Sequence, residues 1–231
     1  MNLFYQPGIP QGIHHLDVVE SHHAVKVLRM RTGDSLKITD GQGQFYESRI
    51  EQADPGKCTF QILNARYIAP RKFSISLAIA PTKNMDRIEW FVEKAVEIGI
   101  EQIQFILCKN SERKSINLDR IQKIAVSALK QSGQCWLPKI SDIKSFTESL
   151  HVTADQKFIC YVDSSNPLHL KSLAEPNKNY WVLIGPEGDF RADELELAIS
   201  NGFIKASLGP IRLRTETAAL TACHTLNLIN L

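Results

Sequence analysis

The spacing of apolar and polar positions changes near residue 70. Before that point the segments are short and alternate. Ser35-Leu36-Lys37-Ile38-Thr39 alternates polar and apolar, as a half-buried strand does. Asp40-Gly41-Gln42-Gly43 follows as a hairpin signal, and Gln44 to Ile50 continues as the partner strand. Asp54-Pro55-Gly56 turns the chain again ahead of Lys57 to Leu63. Upstream, Ser21 to Arg29 reads as a short helix, with Ser21 as its cap and Ala24, Val25, Val27 and Leu28 as its apolar positions. This part of the chain predicts a small barrel or sandwich with one helix.

Ile68-Ala69-Pro70-Arg71-Lys72 reads as a short basic linker. Beyond it, strand patterns alternate with helix patterns. Phe73 to Ala80 predicts a strand entering a core. Ile88 to Ile98 carries a helical stripe of Ile88, Phe91, Val92, Ala95, Val96 and Ile98, closed by Gly99. Ile103 to Cys108 is the next strand, Leu118 to Leu129 the next amphipathic helix, and Phe158 to Val162 a further strand. Strands separated by helices predict a mostly parallel sheet covered on both faces. The expected division is residues 1–70 and residues 71–231.

The densest chemistry lies at the end of the chain. Trp181-Val182-Leu183-Ile184 reads as a buried strand that stops at Gly185-Pro186-Glu187-Gly188. Phe190 to Ser200 has helical spacing, with acidic residues near the positive end of its dipole. Ala206-Ser207-Leu208 is a short strand, Gly209-Pro210 turns, and Arg212-Leu213-Arg214-Thr215-Glu216-Thr217-Ala218 opens the last apolar helix. Two strand ends thus deliver two Gly-Pro loops, and open α/β sheets bind ligands at the carboxyl ends of their strands.

Composition narrows the classes. Hydrophobic residues make up 43% and charged residues 23% of 231 positions, ordinary globular values. No apolar run is long enough to span a bilayer, and MNLFYQPGIPQG lacks the basic region and apolar core of a signal peptide. The five cysteines are scattered and form no C-x-x-C pair, which predicts neither a structural zinc nor a disulfide framework, and a cytoplasmic protein. His14-His15 and His22-His23 invite a metal reading. No helical spacing brings one from each pair together, so no metal is expected. Gly41-Gln42-Gly43 lacks the third glycine, helix and acidic residue of a dinucleotide loop. The net charge of +2 does not by itself call for a nucleic acid, so an RNA surface has to come from local clusters.

IGPEGDF followed by SLGPIRLRTETAAL resembles the SPOUT superfamily of S-adenosylmethionine-dependent methyltransferases. Within it, the match is to the family that methylates N3 of a uridine in small-subunit ribosomal RNA. That family carries I-G-P-E-G-G-F, then L-G-x-R-I-L-R-x-E-T-A. Asp189 departs from it at the second glycine, and Pro210-Ile211-Arg212-Leu213 replaces x-Arg-Ile-Leu. The segment His23 to Arg29, with Gly33-Asp34 and Asp40-Gly41, resembles the same family's N-terminal RNA-binding barrel, which is PUA-like. Lys83, Arg87, Glu93-Lys94, Glu97-Ile98-Gly99 and Ser111-Glu112-Arg113-Lys114 also match. In Leu129-Lys130-Gln131-Ser132-Gly133-Gln134 the match is partial, with Lys130 at an acidic position and Gln134 at an arginine.

The resemblance implies a PUA-like β-barrel domain over 1–70, followed by a mostly parallel α/β SPOUT domain with a trefoil knot over 71–231. It implies S-adenosyl-L-methionine as cofactor, small-subunit ribosomal RNA as partner, and a homodimer. Arg214 and Glu216 are then the expected catalytic residues. The cofactor site is expected at Leu183, Ile184, Gly185, Pro186, Glu187, Gly188, Leu208, Gly209, Leu213, Thr217 and Ala218, with the leucines and Ile184 along the adenine. Arg29, Lys83, Arg113, Lys114 and Lys130 are the expected RNA contacts. Taken singly, each of these cations also reads as a solvated surface charge, and Arg214 with Glu216 as a pair fixing a helix start. A non-catalytic RNA-binding module shares the charge and barrel patterns, but has no need of the two Gly-Pro loops.

Overall fold

The structure, a computed structural model, describes residues 3–162 and 168–231. The chain divides into two compact units, Met1–Pro70 with Val126–Leu137, and Arg71–Ala125 with Pro138–Leu231.

The first unit is built on a four-stranded sheet. Its strands are β1 (Leu3–Tyr5), β2 (Ser35–Thr39), β3 (Gln44–Gln52) and β4 (Thr59–Tyr67), paired in that order. β1 runs parallel to β2 and the other pairs are antiparallel, with register shifts at Glu47/Ser48 and Ile50/Gln52. Phe4, Leu16, Leu36, Ile38, Ile50 and Phe60 fill its core. The β2–β3 turn is held by Asp40, whose Oδ1 accepts from the Gln42 and Gln44 amides at 2.7 and 3.1 Å. Gly43 needs its glycine twice over. Its φ is +98°, and an added Cβ would lie 2.4 Å from the Trp136 ring.

Two features here differ from the pattern reading. Helix α1 (Val18–His22) starts earlier than Ser21, because Asp17 caps it by accepting from Glu20 N at 2.7 Å. Ser21 is buried instead. Its hydroxyl donates to Leu16 O and accepts from Cys58 N, joining the helix to the start of β4. The helix then widens into a π-helical turn, His23–Val27, and ends near Arg29, whose φ is +57°. The second feature is the segment Val126–Leu137, which belongs to this unit. Gly43 N donates to Cys135 O, Leu137 N to Gly41 O, and Trp136 Nε1 to Ile68 O, all within 2.8–3.0 Å.

The second unit holds a six-stranded, fully parallel sheet. It comprises β5 (Ser74–Ile79), β6 (Gln102–Leu107), β7 (Lys139–Ser145), β8 (Gln156–Cys160), β9 (Asn179–Ile184) and β10 (Ile204–Ala206), ordered β10-β8-β9-β5-β6-β7. Helix α2 (Met85–Ile98) is capped by Asn84 and buries Ile88, Phe91, Val92, Ala95 and Val96 of the stripe expected from its periodicity, with Ile98 at its end half-buried. The first part of helix α3 (Leu118–Ser132), up to Ala125, belongs to this unit, and α4 (Leu170–Leu173) is a single turn. Helix α5 (Ala192–Ser200) starts two residues after Phe190. The Glu194 carboxylate accepts from Arg191 N at 2.9 Å, while Phe190 turns into the core. Helix α6 (Thr215–Ile229) packs on α2, β5 and β9. Asn227 on α6 donates to Gly99 O at 2.9 Å and accepts from Arg71 at 2.6 Å. β7 is absent from the pattern reading because it lies at the sheet edge, mostly exposed, and carries no apolar run.

Candidate active site

Three loops meet beyond the carboxyl ends of β8, β9 and β10. The first leaves β9 at Ile184. Asp189 N donates back to Pro186 O at 2.9 Å, and Asp189 takes φ +60°. Aspartate tolerates this left-handed conformation better than most residues, so the tight turn survives without a second glycine. Asn110, in the loop after β6, clamps this turn by donating to Gly188 O and Asp189 O, both at 3.1 Å. A Cβ at Gly188 would stand 3.3 Å from Asn110 Cβ, a close contact that would press on the clamp.

The second loop follows β10. Ser207 Oγ accepts from Gly209 N at 3.1 Å, and Gly209 has φ +122°, a conformation glycine alone adopts readily. The third loop runs from Pro210 to Arg214 and enters α6. Arg212 donates to Glu187 O at 3.0 Å, and the buried Thr215 hydroxyl donates to Gly185 O at 3.1 Å. The last helix is thereby tied to the first loop.

These loops enclose a cavity of about 750 Å³. Its wall carries Ile184, Gly185, Pro186, Glu187, Leu208, Gly209, Leu213 and Ala218 from the expected cofactor set, together with Arg214. Leu183 lies beneath it, fully buried in the core, Gly188 faces Asn110, and Thr217 stands off the wall. Arg87, Cys160, Tyr161, Val162, Asp189, Ala206, Ser207, Pro210, Ile211, Arg212 and Thr215 also line it, residues to which the sequence pattern assigns no site role. The signal for Cys160 to Val162 was present, since they leave the end of a strand in a parallel sheet. Arg87 enters from α2, and no local pattern announces that.

The charges are unequally engaged. Arg87 Nη1 lies 3.4 Å from Glu187 Oε1, and Arg87 Nε 3.8 Å from Glu216 Oε1. Glu216 is 6% exposed, is not on the cavity wall, and leaves Oε2 buried with no partner among the described residues. No hydrogen bond or ion pair among the described residues engages the Arg214 guanidinium, so Glu216 pairs with Arg87 and not with Arg214. The Asp189 carboxylate accepts from Phe190 N at 2.8 Å and Val162 N at 3.4 Å. Burial nevertheless raises its pKa above the ordinary value, against the opposing pull of those amides and of Arg212. Burial, reinforced by Asp189, pushes the Cys160 thiol up to about 12, so it is a neutral wall group.

The expected RNA contacts stand differently. Arg29 and Lys114 are exposed. Lys83 is exposed and 3.3 Å from Glu112. Arg113 turns its guanidinium inward, donating to Thr82 O at 3.1 Å and to Lys83 O at 2.6 Å. Lys130 is paired with Glu20, a residue 7% exposed. Among the described residues no cluster of three or more His, Cys, Asp or Glu is placed to hold a metal, and no helix is long and apolar enough to cross a membrane.

Known proteins share this organisation. The RNA methyltransferase domain family matches residues 69–227, and the RNA methyltransferase PUA domain family matches residues 16–63. The ribosomal RNA small subunit methyltransferase E of Buchnera aphidicola subsp. Acyrthosiphon pisum (strain APS) is 32% identical over 213 residues, which are 87% of this chain and 82% of that protein. A probable rRNA-methyltransferase from Porphyromonas gingivalis superposes with a TM-score of 0.93 at 39% identity, covering 100% of this chain and 98% of that one. The small subunit methyltransferase E of Neisseria gonorrhoeae, solved bound to S-adenosyl methionine, superposes with a TM-score of 0.87 at 25% identity, again covering 100% and 98%. An RNA methyltransferase match over the parallel-sheet unit, a PUA match over the small β unit and a relative this similar along most of its length make the chain a member of the ribosomal RNA small subunit methyltransferase E family of RNA methyltransferases.

Proposed function

We propose that the protein transfers the sulfonium methyl of S-adenosylmethionine to N3 of a uridine in small-subunit ribosomal RNA. The observation that carries this reading is the cavity at the ends of β8, β9 and β10, with an unpaired arginine on its wall. Its volume of about 750 Å³ lies within the usual range for small-molecule sites. The residues present suit such a cofactor. Gly185 and Gly209 let the backbone approach it closely, Ile184, Leu208, Leu213 and Ala218 offer an apolar slot, and the wall includes carboxylates for a cationic ligand. When bound, S-adenosylmethionine supplies an electrophilic methyl group.

The chain's own groups do the rest. The imide N3–H of uridine is a weak acid. It gives its proton to solvent water, which leaves negative charge over N3 and the ring carbonyls, and the nitrogen then takes the methyl as the donor's sulfur leaves as a neutral thioether. Arg214, exposed and unengaged, stabilises that charge as it develops. Glu216 acts at one remove. Its carboxylate holds Arg87, and Arg87 holds Glu187 in the first loop, so the pair positions the cavity wall. Holding donor and ring nitrogen in line supplies much of the rate. Exposed Arg29, Lys83 and Lys114 contact phosphates in this reading, while Arg113 and Lys130 organise the loops and helix that carry them. The family resemblance also supports a homodimer, a trefoil knot in the second unit and a cytoplasmic location.

Mass spectrometry of small-subunit ribosomal RNA, from cells with and without this protein, tests the reaction. A methyl at uridine N3 is expected only where the protein is present. Methylation at another atom or base would replace the N3 assignment. Failure of S-adenosylmethionine to bind in a calorimetric titration would leave the non-catalytic RNA-binding module instead.

A further inference from the structure

The cavity wall contains two carboxylates and three guanidiniums, from Glu187, Asp189, Arg87, Arg212 and Arg214. An excess of positive charge is a poor setting for a cationic sulfonium. Glu187 is already engaged with Arg87 at 3.4 Å. Asp189 makes no ion pair within 4 Å among the described residues, and backbone amides alone hold it, Phe190 N at 2.8 Å and Val162 N at 3.4 Å. Each carboxylate oxygen has two acceptor sites and takes one amide here, so each can accept a further hydrogen bond, and the residue lines the cavity. The residue also sits at φ +60°, where glycine is the easiest occupant, and it places a partly buried carboxyl group there.

We propose that Asp189 selects the cationic methyl donor over the neutral thioether that remains after methyl transfer. This rests on the S-adenosylmethionine reading above. The two ligands share adenosine and amino-acid groups and differ by one methyl and one positive charge. A carboxylate on the wall attracts only the first through that charge, and partial burial strengthens the attraction relative to water. Donor binding and product release are thereby favoured together, because the group that holds the sulfonium has no hold on the sulfide. The raised pKa of Asp189 is consistent with a carboxylate kept in a poorly solvated place with no ion-pair partner.

The test is isothermal titration of the intact protein with S-adenosylmethionine and, separately, with S-adenosylhomocysteine. Asp189→Asn keeps the shape and the tolerance for positive φ while removing the charge. Asp189→Gly keeps the backbone freedom and removes the side chain altogether. Each variant is expected to lose roughly tenfold in affinity for S-adenosylmethionine and less than about threefold for S-adenosylhomocysteine, the size of one partly screened charge pair. Equal losses for both ligands would show a contact to a shared group, such as the ribose hydroxyls, and overturn the proposal. Unchanged affinity for both would overturn it too. Wild-type protein that binds neither ligand would overturn the methyltransferase reading itself, and this selection with it, an outcome distinct from the other two.

Discussion

Arg214 and Glu216 sit two residues apart in one motif, yet they serve different neighbours. Arg214 stands on the cavity wall, and Glu216 lies buried against Arg87. Under the proposed function, this arrangement separates catalysis from stability. Arg214→Ala should slow single-turnover methyl transfer by about a hundred- to a thousandfold, the usual cost of one well-placed donor to developing charge. Cofactor affinity should move only a few-fold, and Tm should barely change, because no buried acid is left unpaired. Arg214→Lys should recover little, since a point charge does not replace a planar fork of donors. Normal turnover in a stable Arg214→Ala protein would remove Arg214 from the chemistry. Asp189 carries a different cost. Its pKa is raised in the folded state, chiefly by burial. A carboxylate of that kind contributes stability below its unfolded pKa and loses it as pH rises through the folded value. At neutral pH, Asp189→Asn should therefore raise the Tm of the cofactor-free protein, and the gain should shrink as pH falls toward the ordinary carboxylate range. Thermal melts across that range check the sign, and a gain that grows toward acid would refute it. Pattern reading could place Asp189 at a turn but not in a cavity, because burial is a property of what packs around it.

At the scale of elements, the loops are held by partners remote in sequence. Asn110 clamps the turn after β9, Arg113 ties down Thr82 and Lys83, and the Thr215 hydroxyl reaches Gly185. Asn110→Ala should weaken cofactor binding while leaving the fold intact, as calorimetry beside a thermal melt would show. Lys130 was expected to meet RNA, and its ammonium instead offsets Glu20. Lys130→Ala leaves a buried carboxylate without a cation, a loss of about 3 kcal/mol by comparison with other broken buried pairs. Denaturant unfolding should show that loss, and Glu20→Gln in the same chain should restore much of it. An unchanged midpoint in Lys130→Ala would mean that the pair is solvated. The helix and strand periodicities of α2, α3, β5, β6 and β9 were legible because each buries one face or both, and burial writes its period into the sequence. The start of α1 was misplaced because two capping residues compete there. Asp17 wins, since Ser21 is taken up by Leu16 and Cys58.

Over the whole molecule, the net charge of +2 leaves RNA affinity to local clusters. Binding to single-stranded ribosomal RNA should weaken with salt, with a log–log slope of about −0.7 for each phosphate neutralised. Lys114→Ala should flatten that slope by up to one contact, whereas Arg113→Ala should change it less, because its donors already serve Thr82 O and Lys83 O. Filter binding across salt concentrations checks both, and a salt-independent affinity would refute the phosphate reading. The change of period near residue 70, the parallel α/β pattern after it and the two Gly-Pro loops that become the cavity wall were all determined by the sequence alone. They follow from local requirements, namely one-sided burial and backbone angles such as that of Gly209. Tertiary structure alone decided the rest. It places Val126–Leu137 with the small β unit, through Gly41, Gly43 and Ile68. It also adds the edge strand β7, brings Arg87 into the cavity and gives Glu216 to Arg87 in preference to its near neighbour Arg214. Each of these is a pairing between distant segments, set by how whole elements pack, and no short stretch of sequence carries a record of its partner.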